Sequence, residues 1–321
     1  MKHVAVAAIT LLVGGVAFPA LCQPPGYPTK PVRLIVTFAA GGTADIISRV
    51  IADQLTEQLG QQVIVDNRVG AGGVVGSSIA AKARPDGYTL LNVGSAYTIS
   101  PALHQLPFDP IRSFNPVARV GTAPYVLTVH TGLPVNSVKD LVALARQKPG
   151  AVSFGAAGTG SFVHLATELF RIAAGIDVLI VQYKGGSLVA TDLLGGHTQA
   201  YIGGITQMMP HIRGGKIKAL GTTGVVRSSV LPDVPTVSES GVAYEASNWW
   251  GFLVPAGTPK PIIERLNTAI STVIVSPKTK KFFIEEGGEV AYMGPAEFGP
   301  FIASDMNKWA RVVKASKLEK Q

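Results

Sequence analysis

Residues Leu34–Leu59, LIVTFAAGGTADIISRVIADQLTEQL, decide the fold. Leu34–Phe38 is a short apolar, β-branched run of the kind that forms a buried parallel strand. Gly41-Gly42-Thr43 interrupts it, and apolar residues resume at Ile46, Ile47, Val50, Ile51, Leu55 and Leu59, the spacing of one helix face. Thr43 is the expected N-cap, and Asp45 in the first turn suits the positive end of the helix dipole. The unit is a strand, a glycine turn and a helix whose free N–H groups face whatever lies above the sheet. Such an end is a ready anion site.

Upstream, Met1–Cys22 reads as a secretory signal peptide, with Lys2 and His3 as the basic region and Val4–Phe18 as the apolar one. Ala20-Leu21-Cys22 is the cleavage site, leaving Gln23 first. A membrane span needs about 20 apolar residues, and Gly14, Gly15 and Pro19 break this run. A lipid anchor on Cys22 is disfavoured because Leu21 stands where lipidation signals require a small residue. The expected location is therefore the periplasm. Removing 22 of the 321 residues leaves 299, enough for a large core or two domains. Cys22 is the only cysteine, so the mature chain is expected to hold no disulfide, thiol nucleophile or zinc-thiolate site. The net charge of +8 is scattered, and the one dense cluster, Lys278-Thr279-Lys280-Lys281, lacks the aromatic interleaving of a nucleic-acid platform. No nucleic-acid partner is expected. The basic balance gives a mild long-range pull on anions.

Downstream the strand–turn–helix pattern repeats. Strands are expected at Gln62–Val65, Tyr88–Val93, Tyr125–His130, Val152–Phe154, Val178–Gln182, Ala200–Ile202 and Ile217–Thr222, with helices between most of them. Alternation through short glycine turns indicates an α/β fold with parallel sheets covered on both faces. Four strand ends carry glycine with small hydroxyl residues: Gly41-Gly42-Thr43, Gly94-Ser95, Gly158-Thr159-Gly160-Ser161 and Gly185-Gly186-Ser187. Ligands of open α/β sheets bind beyond the carboxyl ends of the strands. Four such turns together would make a pocket of N–H groups and hydroxyls without fixed charge, which suits a carboxylate.

Other chemistry finds little support. Gly70-Ala71-Gly72-Gly73-Val74-Val75-Gly76 imitates a dinucleotide fingerprint, but its spacing is GxGxxxG and no acidic residue ends a strand about 20 positions on. The five mature histidines, His104, His130, His164, His197 and His211, show no HxH or HxxxH pairing, so no metal is expected. No serine sits in a GxSxG elbow, and Asp109, Glu168 and Asp192 stand apart. No cofactor and no enzymatic activity are expected. Trp249-Trp250 is read as core by default, with a hinge plug or a pocket wall as the alternatives.

Several motifs together resemble the solute-binding proteins of the tripartite tricarboxylate transporter family, the Bug family. They are Tyr27-Pro28-x-Lys30-Pro31, Ala40-Gly41-Gly42-x-x-Asp45, Val65-Asp66-Asn67-Arg68-x-Gly70-Ala71-Gly72-Gly73 and Pro85-Asp86-Gly87-Tyr88-Thr89-Leu90. Later come Gly158-x-Gly160-Ser161-x-x-His164-Leu165, Tyr183-Lys184-Gly185, Leu231-Pro232-Asp233-Val234-Pro235-Thr236 and Pro255-Ala256-Gly257-Thr258-Pro259. The resemblance implies a type II periplasmic binding protein: two α/β lobes joined by crossing strands near Ala123–Val126 and Trp249–Val254. The first lobe would be residues 23–123 plus 249–321, the second 124–248. It implies a small carboxylate ligand (a di- or tricarboxylate or an aromatic acid) held largely by backbone groups and bridging waters. The site residues it implies are Ala40, Gly41, Gly42, Thr43, Ser95, Thr98, Thr159, Gly160, Ser161 and His164, with Gly185 and Gly203 beside them. The implied partners are integral-membrane permease subunits or, alternatively, a sensor kinase, with the receptor itself monomeric. An exported enzyme using the same cleft is the remaining alternative. Two departures stand out: Ala39 replaces the family's usual proline, implying a looser first turn, and Gly203-Gly204 stands where many members carry an acid, which disfavours amino-acid ligands.

Overall fold

The computed structural model of the protein describes residues 26–319. The expected signal peptide, Met1–Cys22, lies outside the described residues. The first strand, β1 (Val32–Val36), leads into α1 (Thr43–Leu59). There follow β2 (Val63–Asn67), a tight glycine turn, α2 (Val74–Ala81), β3 (Thr89–Gly94) and α3 (Ser95–Leu103). β1 lies between β2 and β3, parallel to both. Alternate residues of β1 face different layers: Leu34 and Val36 pack with Ile47, Ile51 and Leu55 of α1, while Ile35 packs with Ala80 of α2. Covering on both faces is why Leu34–Val36 are apolar without alternation.

A 17-residue strand, β4 (Phe114–His130), then crosses the molecule. Beyond it come α4 (Val138–Gln147), β5 (Ser153–Ala156), α5 (Phe162–Ala174), β6 (Leu179–Gln182), α6 (Gly186–Leu194), β7 (Ala200–Gly204), α7 (Ile205–Arg213) and β8 (Ile217–Thr222). The chain returns through β9 (Ser247–Pro255), α8 (Lys260–Ile274), α9 (Pro277–Glu285), β10 (Glu289–Met293) and α10 (Pro295–Ala315). The strand order is β2-β1-β3-β9-β4-β7-β5-β6, with β10 and β8 also pairing with β4.

β4 changes partners along its length. Phe114–Pro124 pairs antiparallel with β9, and Tyr125–Val129 pairs antiparallel with β7. Two α/β lobes result, with β4 and β9 running between them. The first half of β4 escapes the periodicity of the sequence because Pro116 lies beside a register shift against β9, and a proline at a bulge removes the alternation that marks a strand.

Helix α10 ties the lobes together. Its first half places Phe298 and Ile302 against Leu91 and Trp249, whereas Trp309, Val312 and Val313 join Leu127, Phe154 and Phe170 in the core of the second lobe. By packing, α10 belongs to both lobes, although the sequence reading places all of residues 249–321 in the first. No helix among the described residues is long and apolar enough to cross a membrane.

Candidate ligand-binding cleft

Three helices begin at one cavity of about 410 Å³ between the lobes. α1 follows β1, α3 follows β3 and α5 follows β5, so each presents its N-terminus just beyond the carboxyl end of a strand. The amides of Thr43 and Ala44 make no hydrogen bond with the described residues and border the cavity. Three positive dipole ends aim at one space lined by no lysine or arginine; His104 is its only basic side chain. The arrangement attracts an anion without supplying a fixed charge.

The first turn is held from behind by Asp45. Its Oδ2 accepts from the Gly41 N–H at 2.9 Å and from Arg49 Nε at 2.9 Å. Asn67 Nδ2 donates to Asp45 Oδ1 at 2.9 Å and lies 3.0 Å from the Phe38 carbonyl. Burial would raise the Asp45 carboxyl, but the hydrogen bonds from Arg49, Gly41 and Asn67 outweigh it and hold the pKa at about 2. Thr43 is not the N-cap. Gly42 occupies that position, and the Thr43 hydroxyl donates instead to Glu286 Oε2 at 3.2 Å. Where Ala39 replaces the family's proline, the Gly42 N–H reaches the Ala39 carbonyl at a long 3.3 Å.

The third turn is built by a reciprocal pair. Ser161 Oγ caps α5 by accepting from the His164 N–H at 3.1 Å, and His164 Nδ1 accepts from the Gly160 N–H at 3.0 Å. The Ser161 hydroxyl hydrogen remains free for a ligand. Gly160 has φ +76°, the left-handed region that favours glycine, and a Cβ there would press at 2.8 Å on the flexible end of Leu103 of the other lobe. Burial lowers the His164 pKa, partly opposed by Glu168, and keeps Nδ1 an acceptor. Because the folded pKa lies below the unfolded value of about 6.5, stability is complete above that pH and declines as pH falls. His164→Gln is expected to flatten the fall in melting point between about pH 6.5 and 5; an unchanged slope would remove His164 from this role.

Of the expected site residues, Gly42, Thr43, Ser95, Gly160 and Ser161 border the cavity. The others are placed differently. The Gly41 N–H is taken by Asp45, and Ala40 and Thr159 are exposed on their turns without bordering the cavity. Thr98 lies one turn into α3, fully buried, with its hydroxyl 2.6 Å from Asp305. His164 is buried beneath the third turn and orients it. Gly185 follows β6, the outermost strand, and so sits away from the crossing strands. Gly203 is paired to Val126 inside the sheet, and Tyr201 and Met208 fill the space a side chain there would need.

The apolar walls are Ile99 and Leu103 from α3, Phe162 from α5, and Tyr125 and Trp250 from the crossing strands; of these only Trp250, by its pocket-wall alternative, enters the sequence reading. Ser95, Ile99 and Leu103 are spaced by four, a stripe on one helix face that the sequence does contain. Asn248, whose Oδ1 is bonded by Ser95 Oγ, lies two residues from Trp250 on the same face of β9.

Comparison with known proteins places the chain in a family. The family model "Tripartite tricarboxylate transporter family receptor" matches residues 47–318. The chain is 36% identical over 317 residues to the protein BugT of Bordetella pertussis, covering 98% of this chain and 97% of that one. An R. palustris protein solved with adipate is 33% identical, with a TM-score of 0.74 over 92% of this chain and 100% of its own. MatC of Rhodopseudomonas palustris, solved with bound malate, is 27% identical, with a TM-score of 0.70 over 89% of this chain and 100% of its own. The resemblance read from the motifs therefore holds, and this chain belongs to the receptor family of the tripartite tricarboxylate transporters.

Proposed function

We propose that the protein is a monomeric periplasmic receptor that captures a small carboxylate between its lobes and passes it, unaltered, to the permease subunits of a tripartite transporter. One observation carries this reading: three helix N-termini converge on an interlobe cavity lined by no lysine or arginine. A carboxylate seated there is held by N–H groups and the Ser161 hydroxyl, with waters between. Residues 23–123 with 249–321 and residues 124–248 would act as the two closing lobes, with α10 spanning them. A ligand that touches both lobes only when they are closed shifts that equilibrium.

The walls favour an acid with an apolar body, aromatic or long-chain aliphatic, over a tricarboxylate. Ile99, Leu103, Phe162 and Trp250 give a second and third carboxylate no partner, and burying an unpaired charge is costly. Relatives solved with adipate and with malate are consistent with a carboxylate ligand.

The test is thermal shift of mature protein stripped of ligand by unfolding and refolding, against benzoate, adipate, malate, citrate, aspartate and glutamate. A ligand at a hundred times its Kd stabilises by about 2.7 kcal/mol. Benzoate should raise the melting point most, with adipate below it because its second carboxylate meets the apolar walls, and Ser161→Ala should shrink the benzoate shift by removing a donor. A larger response to citrate or glutamate would overturn the assignment of ligand class. Silence across the whole panel would overturn carboxylate capture.

A further inference from the structure

The crossing strands have a second face. Along β9, Asn248 and Trp250 border the cleft while Ser247 and Trp249 border a separate cavity of about 300 Å³, so strand alternation puts the two spaces on opposite sides of the same strands. The rear cavity takes its walls from β4, from β10 of the first lobe, from α10 and from the Gly224–Ser229 loop leading out of the second lobe.

Arg119 of β4 lines this space. Its Nε donates to the Ala291 carbonyl at 3.0 Å and its guanidinium lies 4.9 Å from the centre of the Phe301 ring, so the group is fixed in position. Its two terminal nitrogens make no hydrogen bond or ion pair with a described residue. Lys308 differs: it is bonded to Glu245 at 3.0 Å and to Asp305 at 2.9 Å. The Ser228, Ser229 and Ser247 hydroxyls also line the cavity and likewise make no side-chain hydrogen bond to a described residue. Burial lowers the Arg119 pKa, opposed by the charges of Glu245, Glu289, Asp305 and Glu297, none of which forms an ion pair with it.

A fixed guanidinium fork with free N–H groups is the complement of a planar carboxylate. Phe301, Trp249 and Met293 supply flat apolar walls beside it. Glu245 and Glu289, also in the lining, limit the added charge and favour a monoanion over phosphate. We propose that this rear cavity is a second binding site, for a small monocarboxylate with a flat apolar body, held by Arg119 behind the interlobe strands. Its walls come from both lobes, so an occupant touches the hinge without entering the cleft.

The experiment is a ¹⁹F NMR titration of the mature protein with 4-fluorobenzoate. Wild type should show a bound population whose affinity falls at least about tenfold in Arg119→Met and in Arg119→Lys, because lysine keeps the charge but loses the fork. The same population should persist in Ser161→Ala, which separates it from any binding in the cleft. Equal affinity in wild type and in both folded Arg119 variants, or the absence of any Arg119-dependent population, would overturn the site. Displacement by inorganic phosphate at equal concentration would overturn the requirement for a carboxylate with an apolar body. Loss in Ser161→Ala with retention in Arg119→Met would assign the binding to the cleft and overturn the rear site.

Discussion

Asp305→Ala is expected to lower the unfolding free energy by about 3 kcal/mol, because it leaves a half-buried cation short of one partner and strands several buried donors. Asp305 is 5% exposed. Its Oδ2 lies 2.6 Å from the Thr98 hydroxyl, 3.1 Å from Trp249 Nε1 and 3.2 Å from Trp309 Nε1. Its Oδ1 faces Lys308 Nζ at 2.9 Å. One carboxylate therefore joins α3, β9 and α10, the three elements that meet where the lobes join. With alanine, two indole N–H groups lose their acceptor and Lys308 keeps only Glu245. Asp305→Asn retains an acceptor for the indoles and should cost less. The reading is a urea unfolding midpoint for both variants. An Asp305→Ala protein as stable as wild type, or less affected than Asp305→Asn, would show that this cluster does not hold the hinge together.

Thr98 shows where sequence and structure part. Its place one turn after Gly94-Ser95 makes it a natural site residue, yet the partner that draws it inward, Asp305, lies 207 positions away. Local features were legible: the parallel strand of β1, the Ile47, Ile51, Leu55 and Leu59 face of α1, and the serine at the start of α5 all follow from spacing within a few residues. The polar half of the site followed as well, since glycine and hydroxyl residues at strand ends have a local geometric reason. Its limits did not, because whether a turn reaches the cleft depends on strand order. The turn after β6 carries the same chemistry as the others but belongs to an edge strand. The apolar half was visible only as an i, i+4 stripe on α3, indistinguishable by pattern from a core-facing stripe. The first half of β4 was hidden by Pro116 at its bulge. In each case a long-range partner decided the outcome.

Asp45 is the other residue whose role depends on what surrounds it, and Asp45→Ala is expected to weaken carboxylate binding by about 30- to 100-fold. The residue touches the ligand space only through the turn it positions. Its carboxylate fixes the Gly41 N–H, Arg49 and Asn67, and Asn67 in turn reaches the Phe38 carbonyl at the mouth of the cavity. Without it, three donors lose their acceptor and the turn before α1 must be ordered by the ligand itself. Hydrogen bonds to a charged group contribute about 1.5–3 kcal/mol each, and a loss of about 2–2.7 kcal/mol in binding corresponds to the range given. The pH dependence has a definite sign. The folded carboxyl sits at about 2 against an ordinary 3.8, so its contribution is complete above about pH 4 and is lost as pH falls towards 2. Wild type should therefore lose stability across that window more steeply than Asp45→Ala, while near neutrality the variant differs in affinity and not in its pH response. Calorimetric titration of the best ligand at pH 7, paired with acid unfolding of both proteins, reads the two effects separately. Affinity within twofold of wild type would mean that the first turn is rigid without Asp45, and anion capture would then rest on the α3 and α5 ends alone.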